Sequence, residues 1–326
     1  MKKHLLILMA LCAQAAVAIT VKDSLRPFPY SGHEPARYLS KYHALLDDCD
    51  ACGCSSNGGS MGFSSMFNNE FVGLRYFYQR YSSKDGIFNN SPWVDENFNT
   101  VQAWARIPIV RRLQVSALVP YHFHVRERAT GDQRIEGLGD ITVLAMFTAY
   151  ETMRDSTVLT HKLQAGGGLK MPTGKYNMAN NVGSVNPGFQ VGTGSWDYLL
   201  ATEYVLKKGR LGLNTMATYT IKTQNEKLYR FGNQFNYGAT LFYLIEQKVK
   251  WVPQLGIAGE VFASNFQYDQ IVPDSSSDIV FGKVGLEVGR NDFSLGLNAM
   301  LPINQHLNGG KVESNYRLSV NLNYSL

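Results

Sequence analysis

Residues 316–326 read YRLSVNLNYSL, and this stretch decides the fold. Its apolar side chains fall at every second position, and its polar side chains occupy the positions between them. Successive side chains of a β-strand point to opposite faces, so this alternation predicts a strand with one apolar and one polar face. The same pattern recurs in residues 113–126 and in residues 231–243.

Working outward from this stretch, we find about twelve segments of the same kind, separated by clusters of Gly, Asn, Asp, Pro and Ser. Most of them are long enough to cross a bilayer, which takes about 9 to 11 tilted residues. The predicted strands are 69–81, 98–110, 112–126, 139–151, 160–172, 196–207, 210–222, 229–246, 248–265, 277–289, 292–303 and 314–326.

The connections between these segments alternate in length. Short turns are predicted at 111–112, 208–209, 247–248 and 290–291, and longer polar loops at 82–97, 127–138, 173–195, 223–228, 268–276 and 304–313. An even number of strands with short turns at one end and long loops at the other is typical of an up-and-down outer-membrane barrel. The predicted fold is therefore all-β: a transmembrane antiparallel β-barrel of about 12 strands, formed by residues 61–326 in the bacterial outer membrane, with both termini in the periplasm.

A secreted, soluble β-sandwich is the alternative, because its strands also carry one apolar face. Its apolar faces would pack against each other instead of meeting lipid. The strands predicted here are long for a sandwich, in which about 5 or 6 residues are usual.

Composition agrees with a folded, exported protein. Only 17% of the 326 residues are charged and 44% are hydrophobic, which excludes a disordered chain. The formal net charge is +5, to which Lys2 and Lys3 contribute two. The remainder is too small to indicate a nucleic-acid partner.

The first 60 residues differ from the rest. Residues 1–18 combine two lysines, a short apolar run and a final Ala-Val-Ala, which predicts a signal peptide. Residues 19–60 are predicted to be a periplasmic or plug segment, in which residues 33–48 (HEPARYLSKYHALLDD) have the apolar stripe of a short amphipathic helix.

Three cysteines follow this helix, at Cys49, Cys52 and Cys54, with His43 nearby. Thiolates favour Cu(I) or Zn(II), so a soft-metal site is one interpretation of the segment. A disulfide that leaves one thiol over, or an unordered linker, are the others. No other cofactor is indicated.

Three motifs occur in order: Gly137-Leu138-Gly139-Asp140, then LQAGGGLKMPTG at residues 163–174, then GTGSWD at residues 192–197. Together they resemble the outer-membrane channels called the putative meta-pathway of phenol degradation family, relatives of FadL-type transporters of hydrophobic solutes. The resemblance covers about residues 135–245. It implies a channel for passive uptake or efflux of small polar or hydrophobic solutes.

The polar positions of the predicted strands carry the candidate lumen residues. Basic side chains outnumber acidic ones there, which favours a path for anionic or polar solutes. Alternatively, these charges pair with one another inside a narrow, filled barrel, since twelve strands lie between packed and open barrels. The candidates are Arg75, Arg106, His122, His124, Arg126, Lys170, Glu203, Arg230, Glu260, Lys283, Glu287 and Arg317.

Two other functions compete with a channel. One is a non-transporting barrel that docks a periplasmic or surface partner. The other is an outer-membrane lipid hydrolase. Such barrels carry a histidine and a serine close together on a lipid-facing strand, but neither His122 nor His124 has a serine two positions later. We therefore expect no enzyme, and expect outer-membrane lipid and a small solute as partners.

Overall fold

The computed structural model describes residues 70–86, 88, 90–152, 159–181 and 185–326. The predicted signal peptide, the segment 19–60 and its cluster of Cys49, Cys52, Cys54 and His43 lie outside these residues and stay predictions. Among the described residues, no helix has the length and apolar character needed to cross a membrane.

The described residues form antiparallel β-strands and two single-turn 3-10 helices, Met178–Asn181 and Asn308–Gly310. In chain order the strands are β1 (Phe71–Lys84), β2 (Trp93–Val110), β3 (Leu113–Glu127), β4 (Gln133–Leu138), β5 (Ile141–Glu151), β6 (Thr160–Met171), β7 (Asp197–Lys208), β8 (Leu211–Lys222), β9 (Tyr229–Arg230), β10 (Gln234–Tyr243), β11 (Lys250–Phe262), β12 (Phe266–Gln267), β13 (Gln270–Ile271), β14 (Ser277–Arg290), β15 (Phe293–Leu307) and β16 (Val312–Ser325).

The long strands close into a barrel. Each pairs with its neighbours in sequence, and β16 pairs with β1 from Phe71↔Ser325 to Ser83↔Val312, so no free edge is left between them. β4 and β5 act as one strand, because β3 pairs with β4 along its C-terminal half and with β5 along its N-terminal half. The wall thus has twelve strands, and the predicted fold class is confirmed.

The two faces of the wall differ in polarity as the alternation predicts. On β16, the side chains of Leu318, Val320 and Leu322 are 40% to 48% exposed, whereas those of Arg317 and Ser319 are at most 2% exposed. Apolar side chains are exposed in this way all around the barrel. A continuous apolar belt of this extent is incompatible with water and matches a bilayer, so the protein is an outer-membrane barrel and the soluble sandwich is excluded.

The two ends of the barrel are unlike. One end, here named the turn end, has two-residue connections at 111–112, 209–210 and 291–292. The other, the loop end, carries residues 172–196 and 263–276. Short turns face the periplasm in outer-membrane barrels, so the loop end faces outward.

The strand boundaries differ from the prediction at the loop end. Residues 229–230 do not continue β10; they form β9, which pairs with β12 in a small three-stranded sheet apart from the wall. The chain leaves the wall at residues 231–233 and 263–265, where Gly232 lies so close to the Ala263 carbonyl that a Cβ on it would collide with that oxygen. The continuous strands predicted at 229–246 and 248–265 were therefore wrong at these ends.

One further strand was predicted to start too late, and another was not predicted. β2 begins at Trp93, where the prediction placed a loop, and β4 was missed altogether. The glycines at 137 and 139 interrupt the alternation between β4 and β5, which hid β4 from a pattern of period two.

Candidate functional site

The structure places eleven of the twelve candidate lumen residues on the inward face of the wall. Each of them is at most 4% exposed. The eleven are Arg75, Arg106, His122, His124, Arg126, Lys170, Glu203, Glu260, Lys283, Glu287 and Arg317.

Arg230 is the exception and corrects the prediction. It lies in β9, and its guanidinium stacks 4.0 Å from the ring centre of Phe266. The neighbouring Tyr229 is buried in the same sheet, and burial raises the pKa of its phenol, so this hydroxyl stays neutral. Arg230 therefore belongs to the loop sheet and not to a wall strand.

Several inward charges were not among the candidates. Glu96, Asp140, Asp197 and Lys222 are all at most 5% exposed. Glu96 was placed in a loop, because the start of β2 was predicted too late. Asp140 and Asp197 stand in the quoted motifs, and that was the signal available for them.

The three motifs meet in one buried ion network, here named the motif cluster and formed by Asp140, Lys170, Thr193 and Asp197. The Lys170 Nζ lies 3.0 Å from Asp140 Oδ2 and 2.6 Å from Asp197 Oδ2. It also donates to the Thr193 hydroxyl at 2.7 Å. Each motif supplies at least one member, so residues far apart in sequence serve one structural purpose.

The motif cluster holds both ends of the segment 172–196 at the barrel wall. Asp140 accepts a hydrogen bond from the backbone N–H of Gly174 through Oδ1 and another from that of Thr193 through Oδ2, at 3.0 and 2.9 Å. Gly174 and Gly192 face each other so closely that a Cβ on Gly192 would lie 2.5 Å from the Gly174 carbonyl. Only glycine permits the two arms of the segment to approach in this way.

The tip of the same segment enters the barrel mouth. Phe189 is fully buried, its ring centre lying 5.9 Å from that of Phe98 and 4.2 Å from the Arg126 guanidinium. The amide of Asn186 donates to Glu96, whose other carboxylate oxygen lies 2.6 Å from Arg126 Nε. Residues 185–190 are thus seated between inward side chains of β2 and β3 and are named the loop tip.

The two histidines of β3 lie beside the loop tip and point inward. His122 Nδ1 lies 2.8 Å from the Thr100 hydroxyl, and His124 Nδ1 accepts the backbone N–H of Asn99 at 3.1 Å. Gly139 leaves room for the His122 ring, since a Cβ there would collide with it. Both imidazoles face the lumen, whereas the hydrolase hypothesis requires a histidine at the lipid face.

No group of three or more His, Cys, Asp or Glu side chains within the part of the chain that the structure describes is arranged to hold a metal ion. The predicted metal ligands lie in the segment 19–60, outside that part.

A second ion network lies on the opposite wall. The Arg317 guanidinium binds both oxygens of Glu260, at 2.6 and 3.0 Å, donates to the Tyr81 hydroxyl and stacks 4.2 Å from the Phe281 ring centre. Between this network and the loop tip lies a cavity of about 80 Å³. We name it the mouth cavity; its wall includes Lys222, and its rim includes residues 186–188 of the loop tip.

Comparison with known proteins shows a shared fold. No protein-family model matches the chain, and no curated protein matches it by sequence. The structure is similar to the COG4313 outer membrane channel from Pseudomonas putida F1, with a TM-score of 0.57, 15% identity, and coverage of 79% of this chain and 95% of that chain.

Two further solved structures are more distant. The β domain of the Bordetella autotransporter BrkA has a TM-score of 0.44 at 11% identity, covering 79% of this chain and 100% of that chain. The transport unit of the autotransporter AIDA-I from Escherichia coli has a TM-score of 0.45 at 10% identity, covering 78% and 90%. The likeness to the COG4313 channel shows the fold alone: the chain is an outer-membrane β-barrel.

Proposed function

We propose that this protein is an outer-membrane channel that passes small solutes passively, with residues 172–181 and 185–196 as its gate. The observation that supports the proposal is the loop tip, which enters the mouth of a charged lumen and buries Phe189 against Arg126. A chain segment can leave such a position while the wall stays intact, because the wall is held by its own backbone ladder.

The charge of the inward face supports solute passage. Among the described residues, eight Arg or Lys and six Asp or Glu side chains are buried. Buried ion pairs contribute little net stability compared with apolar packing. A barrel interior with a purely structural role would therefore gain more stability from apolar side chains. Charged side chains along a pore select its solutes, and the excess of basic residues here favours anionic or polar ones.

The way in which the segment 172–196 is attached supports its role as a gate. Its base is tied by the motif cluster, in which two carboxylates, one lysine and several backbone N–H groups converge. Its tip is joined to the wall through side chains: Asn186 donates to Glu96, and Asn308 donates to the Val185 carbonyl. Since the backbone ladder of the wall does not include the tip, the tip can move without loss of the fold.

The test is solute flux through the full mature chain in proteoliposomes. Phe189→Ala removes the ring between Phe98 and Arg126, so swelling in a small neutral sugar is expected to accelerate several-fold over the unaltered protein. Phe293→Ala is the matched control, because Phe293 is 57% exposed on the outer face. The control is expected to leave the rate unchanged.

Background swelling for both the unaltered protein and Phe189→Ala would contradict the proposal and favour a barrel that only docks a partner. Coupling to soft-metal handling through Cys49, Cys52 and Cys54 is a separate prediction. It rests on the segment 19–60 and receives no support from the described residues.

A further inference from the structure

Four buried polar atoms lie close together on the inner wall, in the turn-end half of β16 and β2. They are Gln102 Oε1, Trp104 Nε1, Asn321 Oδ1 and Asn323 Oδ1, and none has a hydrogen-bond partner within the part of the chain that the structure describes. The four side chains are at most 4% exposed. A buried polar atom without a partner costs free energy, so a group of four in one place calls for an explanation.

The strand register brings these side chains together in two rows across β16, β1 and β2. One row consists of Asn323, Gly73 and Trp104, and the next row consists of Asn321, Arg75 and Gln102. Because every second residue of a strand points to the same face, both rows face the lumen. We name these six residues the amide site.

Gly73 leaves the centre of the first row open. A Cβ there would collide with Asn323 Oδ1 and lie 2.7 Å from Trp104 Nε1, so both atoms converge on the space beside the glycine. Asn323 Nδ2 donates to the Ser294 hydroxyl at 3.3 Å, which leaves Oδ1 as the acceptor towards this space. The Arg75 guanidinium stacks 3.5 Å from the Trp104 ring centre and holds the indole in place.

We infer that the amide site binds a small neutral polyol, whose hydroxyl groups donate to the three carbonyl oxygens and accept from the Trp104 indole N–H. A hydroxyl both donates and accepts hydrogen bonds, so one kind of ligand group serves all four atoms. The site lies in the lumen, on the turn-end side of the loop tip. The inference therefore names a solute class for the proposed channel and in this respect rests on that function.

The chemistry of the amide site favours a neutral ligand. The four unpartnered atoms belong to neutral groups, and no carboxylate is among the six residues. A cation would therefore be buried there without a counter-charge from the site. An anion would face three carbonyl oxygens, while the Arg75 guanidinium is engaged by the Trp104 ring.

The mouth cavity agrees with a neutral solute. Arg317 in its wall binds both oxygens of Glu260, and Lys222 Nζ lies 3.4 Å from Asp197 Oδ2. Each basic side chain of the lining thus has an acidic partner. A neutral solute can pass these pairs without separating them.

The spacing of the two rows sets the length of the ligand. Residues two apart along a strand are separated by about 7 Å. A ligand that occupies the space beside Gly73 must therefore extend this far to reach Asn321 and Gln102. A single amide group is too short for this reach, whereas hydroxyls on successive carbons of a polyol are spread along such a length.

The test is ligand-observed saturation-transfer NMR on the full mature chain in detergent, a method suited to weak binding. Three neutral probes are compared. Erythritol carries a hydroxyl on every carbon, bis(2-methoxyethyl) ether has a similar length but only accepts hydrogen bonds, and urea is short. Erythritol is expected to bind at least about tenfold more tightly than either of the other two.

Gln102→Met keeps the size of the side chain and removes one acceptor. Erythritol binding should weaken at least about threefold, the effect of one lost hydrogen bond. The matched control Gln270→Met makes the same change at an exposed position of β13 and should leave the affinity unchanged. Should Gln102→Met lose the gel mobility of a folded barrel, Trp104→Phe takes its place: it removes the indole donor, retains an aromatic ring and should weaken binding to the same extent.

Equal binding of erythritol and the ether, equal binding of erythritol and urea, or an unchanged affinity in the folded variant would each overturn the inference. Failure of the inference and failure of the channel are separable, because binding is measured in detergent and flux in proteoliposomes. Sugar flux without erythritol binding rejects the polyol site alone, and erythritol binding without flux in any variant rejects the channel.

Discussion

At the scale of single residues, Lys170 has the most demanding position in the molecule. It is fully buried on β6 and lies within 3.0 Å of carboxylate oxygens from Asp140 and Asp197. Without its charge, these two carboxylates would share a water-poor site, and like charges at short range oppose each other strongly. Lys170 therefore joins the β4–β5 break to the start of β7.

Lys170→Met keeps the length of the side chain and removes the charge. It is expected to lower the free energy of unfolding by about 3–5 kcal/mol, the usual cost of removing one partner of a buried ion pair. Guanidinium unfolding in lipid vesicles measures the change.

Lys175→Met is the control, because Lys175 is exposed in the same segment. Its effect should stay within about 0.5 kcal/mol. Equal unfolding midpoints for the two variants would show that the motif cluster does not anchor the segment 172–196.

At the scale of elements, each wall strand has one face towards the lipid and one face towards the lumen. On β11, Leu255 and Ile257 are exposed to the outside, whereas Gln254 and Glu260 are buried in the lumen. The outer face meets hydrocarbon in the middle of the strand and the polar interface at its ends. The cost of a charge on this face should therefore depend on its depth.

Leu255→Arg places a guanidinium near the middle of β11, and a loss of about 2–4 kcal/mol in folding free energy is expected. Val261→Arg makes the same kind of change on the same face at the loop end and should cost about 0–1 kcal/mol. Unfolding of both variants in vesicles of one lipid composition gives the comparison. Equal costs at the two positions would contradict a bilayer around β11.

At the scale of the whole molecule, closure by β16 and β1 satisfies the backbone hydrogen bonds of the wall. The pairing runs along nearly the full length of both strands, with one register shift after Arg80. Backbone groups left unpaired in hydrocarbon cost several kcal/mol each, so an open sheet of this kind is not stable in a bilayer.

A chain ending at Gly310 lacks β16 and exposes one edge each of β1 and β15. It is expected to yield no folded species, because neither edge has another partner in the wall. Refolding into detergent followed by gel electrophoresis, with and without heating, detects the folded barrel by its altered mobility. Leu322→Val, which retains the whole ladder, should fold normally; a folded truncated chain would contradict the role of closure.

The sequence by itself determined the all-β class, the number of wall strands and the direction of most side chains. Alternation of polarity is a local property, so the outward direction of Leu318 and the inward direction of Arg317 can be predicted without knowing which residues contact them. The same logic placed eleven of the twelve candidate lumen residues on the inward side. The prediction was wrong at Arg230, which lies in β9, outside the wall strands.

Only the tertiary structure decided which inward charges meet and where the loop tip lies. Asp140, Lys170 and Asp197 come together because the register of β5, β6 and β7 brings their loop ends side by side, and register across a barrel depends on all its strands. The burial of Phe189 depends on contacts with β2 and β3, far away in sequence. Contacts between distant segments leave no periodic trace in the chain, and this is the physical reason that the buried position of Phe189 and the mouth cavity emerged from the structure alone.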